Sequence, residues 1–441
     1  MNDWFEAEER VERAHQHFES GRWEDALREL RAALRVNPYH GEWHYNMGLT
    51  LDAMGKYDEA IECYRRALSH HGEDTDILYN LAMNCLRLGR ADEAIAPLEE
   101  AQRLDGDDEN SYLLRIDAYT QLGDHDQAEL MFYLACQIND EHPRAYSALA
   151  GSLLARGEID RAIWCLNRTR RLDPDDPEVF ARLGEAYWNK GRLERAYRSY
   201  QRHLRLYPTD LEALLTVGRL LMDMSRWAEA AEKFRRVVDM DPTRADAHFH
   251  LGELSLRVGH LDVAENRFEL VLRLQPARPG VHQKLARIAL RRRCLDEARR
   301  HLRAELSLTR EVDDADEAEE LANSLLDADM ARESVSVWRA LVGENREDAR
   351  LQHQLAVALF RDQRLEAGIQ AAQRAVVTDP TYALAMQNLA VAHLKLGKLR
   401  RARYWVNRAL GVSPGDYRLR QLRVRIGIKN VKRGLASMFR R

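Results

Sequence analysis

One small residue recurs every 34 positions along this chain: Ala26, Ala60, Ala94, Ala128, Ala162, Ala196, Ala230, Ala264 and Ala298. The spacing then slips by two to reach Ser334, after which Gly368 and Ala402 restore it, making twelve repeats. A period of this length in a paired-helix pattern marks a solenoid, in which each repeat buries its apolar face only against its neighbours. Function in such an array belongs to surfaces and grooves, because stacked helix pairs form no ready-made catalytic cleft.

Residues 41–74 show how one repeat works. His44, Met47, Gly48 and Leu51 fall at helical steps of three and four, and Ala60, Tyr64, Ala67 and Leu68 form a second stripe after Gly55. Two antiparallel helices are expected. Gly55 can take the positive φ that ends the first helix, Asp58 is placed to cap the second, and small Gly48 and Ala60 let the axes approach. In other repeats Pro38, Pro174, Pro208, Pro242, Pro276, Pro380 or Pro414 closes the unit. Helix is the only periodic signal.

Phe180, Leu183, Gly184, Tyr187, Ala196, Tyr200 and Pro208 together resemble the tetratricopeptide repeat family, and the likeness runs over roughly residues 7 to 414. Thr169, His203 and Glu305 depart from it where a small residue is usual, Gly72 and Gly106 replace the proline, and Arg115 replaces a leucine. The resemblance implies an all-α fold: a right-handed superhelical solenoid of about twelve helix-turn-helix repeats, with first helices lining a concave groove that binds peptides or partner proteins. It also brings to mind the carboxylate clamp of some members, but the Lys, Asn, Asn, Lys, Arg set of that clamp does not superpose on any three adjacent repeats here.

Charged residues make up 31% of the chain, yet the net charge is only -4, so no global basic field of the nucleic-acid-binding kind exists. Cys63, Cys85, Cys136, Cys165 and Cys294 are scattered singly, as expected of buried free thiols in a reducing compartment. The acidic N-terminus does not read as a signal peptide, and no apolar run approaches the roughly 18 residues of a membrane span. These features point to a cytoplasmic protein.

The search for chemistry is negative. Gly48 and Gly55-Lys56 do not form a phosphate loop, because no strand precedes them and no Ser or Thr follows the lysine. His40 and His44 are four apart, but His40 lies before the helix and the zinc-protease order is absent. His248 and His282 stand at a packing position of first helices. No catalytic residue, metal site, cofactor or small-molecule substrate is expected, and the chain reads as a non-enzyme.

Three regions remain as candidate contacts. The groove of the early repeats should present Tyr45, Asn46 and Leu49, then Tyr79, Asn80 and Met83, with Asn388 in the twelfth repeat; asparagine amides suit an extended peptide backbone. A basic groove patch is expected at Arg257, Lys284, Arg287 and Arg291, close to the acidic run that includes Glu311, Asp313, Asp314, Asp316, Glu317, Glu319 and Glu320. Neighbouring blocks of opposite charge most often pair within the molecule.

The last segment, Gly415 to Arg441, carries nine basic residues and one acid, Asp416. Leu419, Leu422 and Ile426 are expected to cover the end of the twelfth repeat, while Val424, Ile428, Val431, Leu435 and Met438 form a further stripe. Tail contacts would come from Lys429, Lys432, Arg433, Arg440 and Arg441. The expected organisation is nine repeats with an N-terminal lid over 1–309, three repeats over 310–414 after the slip, and a basic capping helix and tail over 415–441. The functional expectation is a protein-interaction scaffold that holds proteins or peptides. The alternatives are an adaptor at a membrane surface or on RNA acting through the tail, and the targeting subunit of a transferase.

Overall fold

The structure, a computed structural model, describes the backbone of residues 2–106, 108–308 and 315–438 and the side chains of 4–106, 108–308 and 315–431. Among the described residues there are helices and turns but no strand. The two-residue slip falls on residues 309–314, outside the described residues, as do the side chains of Lys432, Arg433, Leu435, Met438, Arg440 and Arg441.

Twelve antiparallel helix pairs and one additional helix follow each other in chain order. The first six pairs are α1 (Asn2–Glu19) with α2 (Trp23–Val36), α3 (Gly41–Ala53) with α4 (Tyr57–His71), α5 (Thr75–Arg87) with α6 (Ala91–Leu104), α7 (Glu109–Gln121) with α8 (His125–Ile138), α9 (Pro143–Ala155) with α10 (Ile159–Leu172), and α11 (Pro177–Asn189) with α12 (Leu193–Leu206). The next three are α13 (Leu211–Asp223) with α14 (Trp227–Met240), α15 (Ala245–Val258) with α16 (Leu261–Leu274), and α17 (Val281–Arg291) with α18 (Leu295–Leu308). The last three are α19 (Ala315–Asp327) with α20 (Ala331–Glu344), α21 (Ala349–Arg361) with α22 (Leu365–Thr378), and α23 (Ala383–Lys395) with α24 (Leu399–Val412), followed by α25 (Tyr417–Met438). The chain forms two compact units, Met1–Lys233 and Phe234–Arg441.

The recurring small residue is buried in each pair. Ala26, Ala60, Ala94, Ala128, Ala162, Ala196, Ala230, Ala264, Ala298, Ser334 and Ala402 are all 0% exposed. In eight of the twelve pairs, residues sixteen apart on the two helices are matched in size. Gly48, Gly184 and Gly252 stand opposite Tyr64, Tyr200 and Phe268, and a Cβ at Gly184 would lie 2.6 Å from the Tyr200 ring. At the same offset Ala14, Ala82, Ala150 and Ala286 accompany Leu30, Leu98, Leu166 and Leu302, all buried.

Between the two helices of a repeat the chain reverses through a left-handed residue. Gly21, Gly55, Gly89, Gly123, Gly157 and Gly191 occupy this place with φ from 70° to 83°, as expected for Gly55. Ser225, Arg293, Asp329 and Gln363 adopt the same conformation without being glycine, with φ from 59° to 64°.

The second helices begin without a capping side chain in most repeats, which corrects the role expected for Asp58. Lys56 holds the cap position of α4 and makes no side-chain cap bond, whereas Asp58 lies in the first turn, where its charge faces the positive end of the helix dipole. It also pairs with Arg90 at 3.1 Å. The first helices, in contrast, carry true aspartate caps at Asp74, Asp108, Asp176, Asp210 and Asp348.

Of the residues that depart from the repeat pattern, Gly72 and Gly106 are exposed, whereas His203, Glu305, Thr169 and Arg115 are buried and bonded. His203 places one ring nitrogen 2.9 Å from the Pro177 carbonyl and the other 2.7 Å from the Asp210 carboxylate. Glu305 accepts hydrogen bonds from the backbone N–H of Gly280 at 2.6 Å and of Gln283 at 3.0 Å, so it caps α17 from α18. Thr169 donates to the Cys165 carbonyl. Arg115 is buried and donates to Gln102 and Glu99. Cys63, Cys85 and Cys165 are buried, and burial pushes the Cys63 thiol up to about 11 and the Cys165 thiol up to about 12, which keeps both protonated. Cys136 is half-buried and Cys294 exposed, against the expectation of uniform burial.

Both ends are covered. Trp4 of α1 lies against Trp43 with ring centroids 5.6 Å apart, and Ala7 and Ala14 of the same helix are buried. At the other end Leu419 and Ile426 of α25 are buried in the last apolar cluster, with Leu422 packed beside them, as expected of a cap.

Two predictions follow from this packing. Gly184→Ala should cost about 1–3 kcal/mol in denaturant unfolding because its methyl group meets the Tyr200 ring, and adding Tyr200→Leu should recover much of the loss by recreating the Ala and Leu combination. Strictly additive losses would show that the ring is not the obstacle. Gln363→Gly and Arg293→Gly should each raise stability by up to about 1 kcal/mol by relieving left-handed backbone strain, with a smaller gain at Asp329, whose residue type tolerates that conformation better. An unchanged or lower Tm in all three variants would refute the assignment.

Candidate groove of the N-terminal unit

Equivalent positions on successive first helices form columns along one face. Asn46, Asn80, Leu114, Ala148 and Arg182 make one column; Leu49, Met83, Asp117, Gly151 and Glu185 make another, about one helical turn further on. The second column and the lower part of the first open into a cleft of about 740 Å³ formed by α5, α7, α9 and α11.

Its apolar surface comes from Met83, Leu86, Leu114 and Leu154, and its polar surface is built around Asp117. Asp117 is half-buried, and burial pushes its carboxyl pKa up against the opposing attraction of Arg144 and Arg182. No hydrogen bond or close ion pair engages Asp117 or Arg144 among the described residues. Arg182 is held in place, donating to the Ser147 carbonyl at 3.1 Å and to Glu178 at 2.6 Å. Gln121 donates to the Leu86 carbonyl, and Arg87 pairs with Asp52. The cleft thus joins an apolar floor to an unengaged acid and an unengaged guanidinium, an arrangement able to take both side chains and main-chain groups of a polypeptide.

The expected groove residues are only partly gathered there. Met83 lines the cleft. Asn80 donates to the Tyr45 hydroxyl at 3.2 Å and to the Asp76 carbonyl at 2.8 Å, and Tyr79 meets the Ser111 hydroxyl at 3.3 Å. Asn46 and Leu49 are half-buried on α3, one period before the residues that line the cleft. Asn388 is half-buried on α23 in the C-terminal unit.

In the expected basic patch Lys284 and Arg287 are neutralised by carboxylates within the molecule, while Arg291 is tied to the backbone. Lys284 reaches Glu320 at 3.0 Å and Glu253 at 3.5 Å, Arg287 also pairs with Glu320, and Arg291 donates to the Leu256 carbonyl at 2.8 Å. Burial disfavours the Lys284 ammonium, yet Glu320 and Glu253 hold its pKa above the ordinary value. Arg257 is likewise engaged. In the tail, Lys429 donates to the Leu394 carbonyl at 3.4 Å.

The histidines serve packing. His44 and His248, at equivalent positions, lie 2.8 and 2.9 Å from the carbonyls of Pro38 and Pro242, His282 meets His301 at 3.0 Å, and His40 stacks on Trp43. Among the described residues no cluster of three or more possible metal ligands occurs, and no helix is long and apolar enough to cross a membrane.

Asp117, Arg144 and Leu154 are not among the expected groove residues, because neither a groove asparagine nor a basic cluster marks their repeats. Adding one period to Met83 reaches Asp117, and three reach Glu185. The column persists although its residue type changes.

Matches to known proteins fit this architecture. The family model of the cilia and flagella-associated protein 70 C-terminal domain matches residues 52–248, and tetratricopeptide repeat models match residues 9–73, 221–288 and 319–383. No curated protein sequence matches the chain. Among solved structures, a tetratricopeptide repeat protein from Parabacteroides merdae is 22% identical, covering 57% of this chain and 99% of its own, with a TM-score of 0.49. A thermophilic protein of this type from Thermus thermophilus is 25% identical over 41% of this chain and 99% of its own, with a TM-score of 0.38. Yeast Tom70 is 15% identical over 97% and 96%, with a TM-score of 0.39. With twelve helix pairs in register and three repeat models placed along it, the chain is a tetratricopeptide repeat protein.

Proposed function

We propose that the chain is a non-enzymatic scaffold whose N-terminal unit seats an extended segment of a partner protein along α3, α5, α7, α9 and α11. Tetratricopeptide repeats are in general a protein-interaction fold, which supports the class of function. The observation that carries the specific seat is the four-helix cleft in which Asp117 and Arg144 lack direct partners beside Met83, Leu114 and Leu154. Unengaged polar groups next to an apolar floor give a passing segment both hydrogen bonds and buried area without first breaking a bond inside the protein. Asn46 and Asn80 extend the seat toward the N-terminus, with Asn80 tied to Tyr45 and Asp76 in the free protein.

Proteins that copurify with the full chain, identified by mass spectrometry, should be retained by the wild type and lost with Asp117→Lys combined with Leu154→Asp. The double change Asn46→Ala with Asn80→Ala should weaken the same association roughly tenfold, the effect of losing two modest hydrogen bonds. Melting temperature separates the outcomes. Lost partners with an unchanged Tm support the seat, whereas retained partners in the cleft variant overturn it. A lowered Tm with intact association in the asparagine variant would restrict Asn46 and Asn80 to bracing neighbouring helices.

A further inference from the structure

The C-terminal unit ends in a second groove whose chemistry differs from that of the first. It lies along α23 and α25 and encloses about 1030 Å³. Val391, Leu394, Leu422, Val424 and Ile428 supply its apolar surface. Leu394 is only 7% exposed, whereas Val424, Ile428 and Val431 of α25 are 60%, 54% and 63% exposed. These three valine and isoleucine side chains follow each other at steps of four and three, the ridge that one helix offers to another. The cap does not need them, since Leu419 and Ile426 already fill the end of the twelfth repeat.

The charge around this groove has one sign. Lys395, Arg420, Arg425 and Lys429 line it, and no carboxylate occurs among the described residues that line it. Arg420 and Lys429 donate to the backbone carbonyls of Pro414 and Leu394, contacts that leave their charge uncompensated, and among the described residues Lys395 and Arg425 make no hydrogen bond or ion pair. Asp416, the one acid of the segment, accepts from the N–H groups of Arg418 and Leu419 as the cap of α25. Elsewhere in this unit arginines meet carboxylates across repeats, as Arg350 does with Glu319 and Arg292 with Glu265.

We infer that this groove docks an amphipathic, acidic helix of a partner protein. An apolar face on that helix would cover the Leu394 floor and the Val424, Ile428 and Val431 ridge, while carboxylates along its flanks would meet Lys395, Arg420 and Arg425. The concavity selects a helix over a lipid surface. A flat bilayer reaches the rim residues but not a floor as enclosed as Leu394, whereas side chains projecting from a helix do.

The test uses the full chain and a fluorescein-labelled synthetic helix of about five turns, with leucine at steps of three and four and glutamate between them. Anisotropy should show binding at least about tenfold tighter than that of a scrambled peptide of equal composition. Lys395→Glu with Arg425→Glu should weaken binding about tenfold or more, as should Ile428→Ser, with helicity and Tm unchanged because all three side chains are exposed. The Asp117→Lys and Leu154→Asp variant of the N-terminal cleft should bind this peptide as the wild type does, which keeps the two sites separately testable. Absence of binding, equal affinity for patterned and scrambled peptides, or unaltered binding by the charge-reversed variant would overturn the proposal. So would recruitment to phosphatidylserine vesicles by a chain that ignores the peptide.

Discussion

The close approach of the two helices within each repeat is the constraint on which the remainder of this structure depends. It is secured by twelve positions that carry nothing larger than an alanine methyl or a serine hydroxymethyl, eleven of them with no exposed surface at all and the twelfth, Gly368, buried against Phe360. A larger side chain there would push the axes apart and misdirect the face that each repeat offers to the next. Because a solenoid has only nearest-neighbour interfaces, such an error in one repeat would be transmitted to the stacking of those that follow. The matching of glycine with tyrosine or phenylalanine, and of alanine with leucine, in eight of the pairs is compensation in size within a pair. Each pair can change its residues while keeping the distance that its neighbours require.

The same logic explains how the repeat tolerates large polar residues at its other small position. Alanine stands there in Ala33, Ala67, Ala101 and Ala135, and all four are buried. Where His203 or Glu305 replaces it, the added atoms would be a heavy desolvation cost if left alone. Instead they extend to the start of a first helix: His203 to Pro177 and the capping Asp210, Glu305 to the N–H groups at the beginning of α17. The α17 case is instructive because Gly280 at its cap position has no side chain with which to satisfy those groups. A departure from the sequence pattern in one helix thus supplies what the turn of the same repeat lacks.

Helix number, pairing, turn position and the terminal cap were legible in the sequence, because each depends on a residue type repeated at a fixed interval. Helix starts were less legible. Asp58 has the composition of a cap and the wrong position, since the left-handed turn at Gly55 delivers the chain directly to Lys56 and Tyr57. Charge was the least legible property. Lys284 and Arg287 read as a basic patch until Glu320, 36 and 33 residues away, is seen beside them. The cleft was missed for the reverse reason. Its column is geometric, and the change from Met83 to Asp117 to Gly151 hides a continuous face from any reading that follows residue chemistry alone.

That distinction bears on how one fold can carry different binding surfaces. The buried columns between helices admit few residue types, while the groove-facing columns on first helices, most of whose residues are half-buried, carry apolar, small, acidic and basic residues in turn. In the N-terminal unit the variable face combines both signs of charge around an apolar floor, with Asp117 beside Arg144. In the C-terminal unit the face of α23 and α25 keeps the apolar floor but drops the acids. Since both surfaces are presented by packed α-helices, the difference in what each can hold resides in a handful of side chains. If each surface holds the partner proposed for it, exchange of those side chains, and not a change of fold, sets which partner each unit takes.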